Sequence, residues 1–446
     1  MMAFMGKHRD LWLLIGLCAI ILTSAFAFIG FCNIPVFDDS ANLRDVTRYA
    51  ENGVSVATIE NHVNPAGPFA YIWIGLNGAL LGGTLWSYRL VNALSALLLN
   101  VMLLCIATRH RMAIPIACLL LINPYLPLAS STILTEVPSL LFFVSGTLLW
   151  LFGLDQSLQE TRCVYWSALV KLMGGALLIG VAIVGRQYYL AILPAMAVTV
   201  LMSFQRWGKV VWSGAEMIGV AISGIISAAP VILIFALWGG LTPPNMQLGI
   251  SYSNSTATIG MNLLRPINAV LYIGIYMLPP LLLQRNITKR LLPIFVLFAL
   301  ISALLLIALV PQGKLWCGTS DAACGPIDWL YRLVRVRFSN QSEIYNGILA
   351  FAACMGILLF IRAVSWDHAS STELRGVVFG ASFLAFFVVE QAFVGGNIPF
   401  YERYTLQIAP MLGLALAGNR LFGVDRALIG SAPMILYGLF RLWRGL

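Results

Sequence analysis

Runs of about twenty apolar residues recur along the chain, separated by short polar or basic turns. A helix needs about 20 apolar residues to cross the hydrocarbon core of a membrane. The pattern predicts spans over roughly 11–31, 89–108, 112–129, 137–154, 167–184, 188–204, 210–237, 269–284, 291–311, 345–362, 376–394 and 404–419. The segment 427–440 is short and reads either as one more span or as a helix along the membrane. Leu11–Phe31 follows "GKHRD" in the manner of a signal peptide, but it exceeds the usual apolar region of one and reads as a retained first helix. No repeat or low-complexity tract interrupts the series. The expectation is an all-α polytopic membrane protein, with 1–446 as a single transmembrane domain.

The stretch "PFAYIWIGLNGALLGG", 68–83, decides the sidedness of everything after it. If it does not cross, and the N-terminus is cytoplasmic, then "RHR" at 109–111, Arg162, "QRWGK" at 205–209, "QRNITKR" at 284–290, Arg362, Arg375, Arg420 and Arg426 all fall inside, as the positive-inside rule requires. It is therefore read as a helix at the outer interface, with Tyr71 and Trp73 suited to that depth. Three sizeable extracytoplasmic loops follow from this threading: 32–88, 238–268 and 312–344.

Composition agrees with the pattern. Hydrophobic residues make up 60% of the chain and charged ones 10%, against roughly 25% charged in a soluble domain. The formal charge of +9 is accounted for by basic cytoplasmic loops, so no nucleic-acid partner is implied. Eight cysteines show no metal-type CxxC spacing. Cys317 and Cys324, in "CGTSDAAC", can close a disulfide if their loop faces an oxidising compartment.

Candidate chemistry gathers on the outer side. Asp38 and Asp39 stand just past the first span, ahead of "ANLRDVTRYAENG", in which Ala41, Val46, Tyr49 and Ala50 share one face of an interfacial helix that stops at Gly53. The pair reads either as a helix N-cap and topology marker or as a catalytic site. Glu136, in "ILTEVPSLL", sits where a span re-enters the membrane. It is either an acid favoured by the helix dipole or a partner of the aspartates. Arg186, Arg403 and Arg265 lie at outer helix boundaries, against the positive-inside bias. A guanidinium fork suits phosphate, and snorkelling to headgroups is the plainer reading. For Arg332, Arg335 and Arg337 snorkelling is preferred. His62, near Glu60, is a weak metal signal. Glu216 and Glu390 fall within spans, as buried functional acids or as helix-packing ones. No Ser-His-Asp order, Walker sequence or GxGxxG after a strand is present.

The assembled order resembles a known superfamily. An acidic pair follows the first span; "NHVNPAGPFAYIW", "RLVNAL", "TEVP", "RQYYLAILP" and "RYTLQIAPMLGLAL" come in turn. This resembles the GT-C membrane glycosyltransferases over most of residues 10–420, most strongly in 30–190 and at 400–413. "NPAGP" departs from the mannosyltransferase pattern in lacking consecutive prolines, and no large soluble outer domain follows the membrane part. The resemblance implies a GT-C-like bundle of about 12–13 transmembrane helices with interfacial helices in the first extracytoplasmic loop. It also implies transfer of a sugar from a polyprenyl-phosphate donor to an extracytoplasmic hydroxyl, on a lipid-linked or cell-envelope glycan, by inverting displacement. Asp38 would be the general base, with Asp39 the second acid and Glu136 positioning the acceptor or Asp38. Arg186, then Arg403 and Arg265, would hold the donor phosphate, and His62, Gln187, Tyr188, Tyr189 and Tyr404 would line the pocket. A Mg or Mn ion, if one is used, would sit on Asp38 and Asp39. The setting implied is a bacterial inner membrane with the site facing the periplasm. A transporter or flippase, and an O-antigen polymerase or ligase, are the competing readings.

Overall fold

A computed structural model describes residues 2–36, 39–64, 66–157, 162–206, 214–241, 243–244, 264–284, 292–309, 342–364, 369–393 and 402–444. Every regular element among them is helical. After α1 (Met2–Phe31) come three short helices, α2 (Asp39–Asn52), α3 (Val56–Glu60) and α4 (Pro68–Leu80). They precede α5 (Leu85–Arg109), α6 (Ala113–Leu121), α7 (Leu126–Ser131), α8 (Glu136–Ser157) and α9 (Arg162–Gly185). A 3-10 turn (Gln187–Ala191) leads into α10 (Ile192–Arg206), followed by α11 (Gly214–Trp238), α12 (Leu264–Leu282) and α13 (Leu292–Leu309). The chain closes with α14 (Ser342–Ala363), α15 (Ser371–Gln391), a second 3-10 turn (Glu402–Tyr404), α16 (Thr405–Ala415) and α17 (Val424–Arg444).

Long-range contacts sort the helix termini into two ends. At one, Arg9 pairs with Asp425 at 3.0 Å, Arg375 pairs with Asp155, and Asn419 donates to the Ala363 carbonyl at 2.9 Å. At the other, Arg89 binds the carbonyls of Cys32 and Ile34, Trp238 donates to Ile59, and Arg265 reaches Gln391. The helices therefore alternate up and down. Arg109, Arg111, Arg362, Arg375, Arg420 and Arg426 share the first end; the interfacial helices α2–α4 share the second.

Seven helices among the described residues are long and apolar enough to cross a membrane: α1, α5, α8, α9, α11, α14 and α15. The segments Gln187–Ser203, Leu292–Leu306 and Thr405–Ala415 are shorter apolar helices. The expected all-α polytopic bundle is borne out, with these seven spanning helices among the described residues where the sequence led us to expect about 12–13 over the whole chain. The expected span 112–129 is broken into α6 and α7 around Pro124, which lacks an amide proton and disfavours helical geometry at Asn123, while Pro127 sits in the first turn of α7, where no amide proton is needed. The expected span 404–419 is the shorter α16. Such interruptions at membrane depth require an enclosed backbone, and every residue from 112 to 141 is buried. The segment 427–440 lies within α17, which runs beside α1 from the Arg9–Asp425 contact to the cluster of Phe28, Cys32 and Leu442. Close approach of α8 and α9 depends on small residues: a Cβ on Gly175 would meet the Trp150 amide nitrogen at 2.6 Å.

Cys317, Cys324, Arg332, Arg335 and Arg337 lie outside the described residues, as does most of the loops 238–268 and 312–344.

Candidate functional site

Glu136 opens α8 and is 1% exposed. Its Oε1 lies 2.6 Å from a terminal nitrogen of Arg186, at the end of α9, and 4.0 Å from Nε of Arg403, in the second 3-10 turn. Three segments far apart in sequence thus bring two cations to one carboxylate. The first turn of α8 adds the positive end of the helix dipole.

Tyrosines extend the site sideways. Tyr188 and Tyr404 pack with ring centroids 4.9 Å apart. Arg265 lies over the Tyr188 ring, donates to its hydroxyl at 3.1 Å, and donates through Nε to Gln391 at 2.9 Å. Arg265 is 1% exposed, and one of its terminal nitrogens has no hydrogen-bond partner among the described residues. Among the described residues its hydrogen bonds go to neutral groups. Tyr188 lies within electrostatic reach of both Arg186 and Arg265, so the three arginines share one polar region. Among the described residues two carboxylates, Glu136 and, beside Arg265, Glu390, face these three guanidinium groups, an excess of positive charge that suits an anion.

Asp38 lies outside the described residues. Asp39 takes a part that the sequence did not predict. It is fully buried and accepts hydrogen bonds from Arg89 through Nε, at 3.1 Å, and through a terminal nitrogen. The Val36 and Ile133 amides also donate to it. Both carboxylate oxygens are engaged, so Asp39 is not free to act as a base. A cation seated on it would have to displace the Arg89 guanidinium, and among the described residues no group of three or more His, Cys, Asp or Glu side chains could hold a metal ion.

His62 is corrected from pocket lining to loop core. Its Nε2–H donates to the Ala66 carbonyl at 2.8 Å, and its ring stacks on Trp238 with an interplanar angle of 1°. Nδ1 faces Tyr49 Oη at 3.5 Å and Asp45 at 3.8 Å. Burial holds the imidazole below its ordinary value, so it stays neutral at neutral pH and the Asp45 contact is not an ion pair. Gln187 donates to the Leu241 carbonyl at 3.1 Å. Tyr189 turns inward and stacks on Phe143 at 3.9 Å.

Sequence reasoning passed over Arg89, Asn42 and Asn92 as site residues, and it gave Tyr71 to the membrane interface, whereas Tyr71 is buried. Arg89 carried a legible signal: it is an arginine at an outer helix start, the same breach of the positive-inside bias that singled out Arg186. Asn42 and Tyr71, joined by a 2.8 Å hydrogen bond, carried none. Asp45, one acid among several in its loop, is fully buried with neither oxygen hydrogen-bonded among the described residues.

No protein-family model matches the chain, and no curated protein does. Among solved structures, the chain is similar to ArnT from Cupriavidus metallidurans in two crystal structures, one bound to undecaprenyl phosphate and one in the apo state. The first alignment covers 96% of this chain and 78% of that one, at 15% identity and a TM-score of 0.39. The second covers 92% and 77%, at 14% identity and a TM-score of 0.37.

Proposed function

We propose that the chain is a membrane glycosyltransferase of GT-C type that moves a sugar from a polyprenyl-phosphate donor to a hydroxyl acceptor on a lipid-linked or cell-envelope glycan. The observation that carries this reading is the meeting of Arg186 and Arg403 at Glu136, with Arg265 joined to them through Tyr188, at the end of the bundle that holds α2–α4. A buried, positively biased site at a membrane boundary is what a lipid phosphate needs, and guanidinium groups match its oxygens in pairs.

In the proposed reaction Asp38 takes the proton from the acceptor hydroxyl, whose oxygen attacks the anomeric carbon as the bond to phosphate breaks. The polyprenyl phosphate leaves with its charge held by the arginines, which act where negative charge develops. Attack opposite the phosphate inverts the anomeric centre. Glu136 fixes Arg186 and orients the acceptor. The site faces the exterior of a bacterial inner membrane, with the arginine-rich opposite end in the cytoplasm.

Glu390 favours a second reading, a proton-coupled transporter: it is a buried carboxylate near the end of α15, facing Arg265 and the Ala191 amide. One experiment separates the two. Purified protein is incubated with a panel of polyprenyl-phosphate sugars and a glycan acceptor mixture, beside Asp38→Asn and Glu390→Gln. The glycosyltransferase reading expects transfer that Asp38→Asn abolishes and Glu390→Gln spares. Absence of transfer from every donor, or transfer unchanged in Asp38→Asn, would overturn it.

A further inference from the structure

The non-helical segment between α7 and α8 is held by side chains from two other helices. Asp39 Oδ1 accepts the Ile133 amide, and Asn42, one turn along α2, donates to the Ile133 carbonyl at 2.7 Å. From α5, Asn92 donates to the carbonyls of Thr132 and Leu134 at 2.6 and 2.7 Å. Arg89, one turn before Asn92, completes the set by binding Asp39 and the carbonyls of Cys32 and Ile34. All four side chains are buried.

We propose that Arg89, Asp39, Asn42 and Asn92 form a clamp that sets the position of the Glu136 carboxylate against Arg186, making them positioning residues for the transfer reaction. The inference rests on the role given to Glu136 above. Buried ion pairs add little to stability beyond what well-packed apolar residues would give, so holding the fold together does not by itself explain the set. Its targets are informative. The side chains bond not only to one another but to the backbone of three consecutive residues, 132–134, past the end of α7, where a buried polar group without a partner is costly. Glu136 follows two residues later, at the first turn of a rigid helix. A shift of the clamped segment therefore moves the carboxylate, and an error near 1 Å in a reacting geometry can cost about a hundredfold in rate.

The test uses the full chain in lipid nanodiscs, with Asp39→Asn and with Asn92→Asp, which fills the same space and loses both donors. Amide exchange is expected to rise at least tenfold in peptides covering 132–136 and to stay unchanged in α15. With a polyprenyl-phosphate sugar that the wild type uses, turnover should fall at least tenfold while the donor KM moves less than threefold. In a Glu136→Gln background the same substitutions should cost nothing further. Unchanged exchange at 132–136, a general rise across all helices in both variants, or losses that multiply with Glu136→Gln would each overturn the clamp. If the wild type transfers no sugar at all, the glycosyltransferase reading fails by itself, and the exchange data alone decide whether these residues hold 132–136 in place.

Discussion

The Glu136 carboxylate and the Arg186 guanidinium meet at 2.6 Å, joining the start of α8 to the end of α9 in a setting almost closed to solvent. Removing one partner of such a pair strands the other charge, at a cost of about 3–5 kcal/mol. Arg186→Ala is therefore expected to lower the thermal unfolding temperature of the purified protein clearly, and Glu136→Gln in the same chain to restore part of the loss. Polyprenyl-phosphate affinity should fall at least tenfold in Arg186→Ala and stay low in the double variant. Equal loss of donor and acceptor affinity would count against its phosphate role.

Arg265 offers a fork that lysine cannot copy: Nε is committed to Gln391 and a terminal nitrogen to Tyr188. Arg265→Lys keeps the charge and loses that geometry. We expect polyprenyl-phosphate binding, read by native mass spectrometry, to weaken about tenfold. The control is Asp155→Asn at the far end of the bundle, which removes the charge facing Arg375. It should lower stability and leave that binding unchanged.

His62 makes the first loop sensitive to acid. Burial depresses its folded value below the ordinary 6.5, opposed by Asp45 and the Ala66 carbonyl and aided by Arg48. Below about 6.5 the unfolded chain binds the proton first. Stability is thus fully present above that pH and lost as pH falls, by up to about 1.4 kcal/mol per pH unit. Unfolding temperatures taken from about pH 8 to about pH 5 should drop for the wild type. They should drop less for His62→Gln.

Gly67 packs its Cα against the Val184 carbonyl, two residues before Arg186, and a Cβ there would overlap that backbone group. Overpacking of this kind costs about 1–3 kcal/mol, and the strain falls on the end of α9. Gly67→Ala should reduce folded yield and polyprenyl-phosphate affinity together. Gly16→Ala, on α1 with nothing within 4 Å of a new Cβ, should change neither.

The long apolar runs foretold α1, α5, α8, α9, α11, α14 and α15 because lipid demands length, and length is written in one dimension. Pro124 and Pro127 were equally visible, yet an unbroken apolar run outweighed them until burial of the whole stretch showed that no lipid touches it. At the site, Arg186, Arg403 and Glu136 were named from sidedness, and they converge. Asp39 was misread because its partner, Arg89, comes from another helix, and nothing local distinguishes a locked carboxylate from a reactive one. Asn42 and Asn92 were missed because they bind backbone, and a backbone target leaves no mark in the sequence.

The enclosure of α6 also constrains how the molecule is made. A piece of chain walled in by other helices has no face to show to lipid, so it cannot settle until its walls arrive. One of those walls is α16, which packs along α6 yet follows it in the chain only after nine other helices among the described residues. Arg403 reaches Glu136 just ahead of that helix. Maturation of the region around Glu136 must therefore wait for α16, and nascent chains halted before it would carry an unfinished interior.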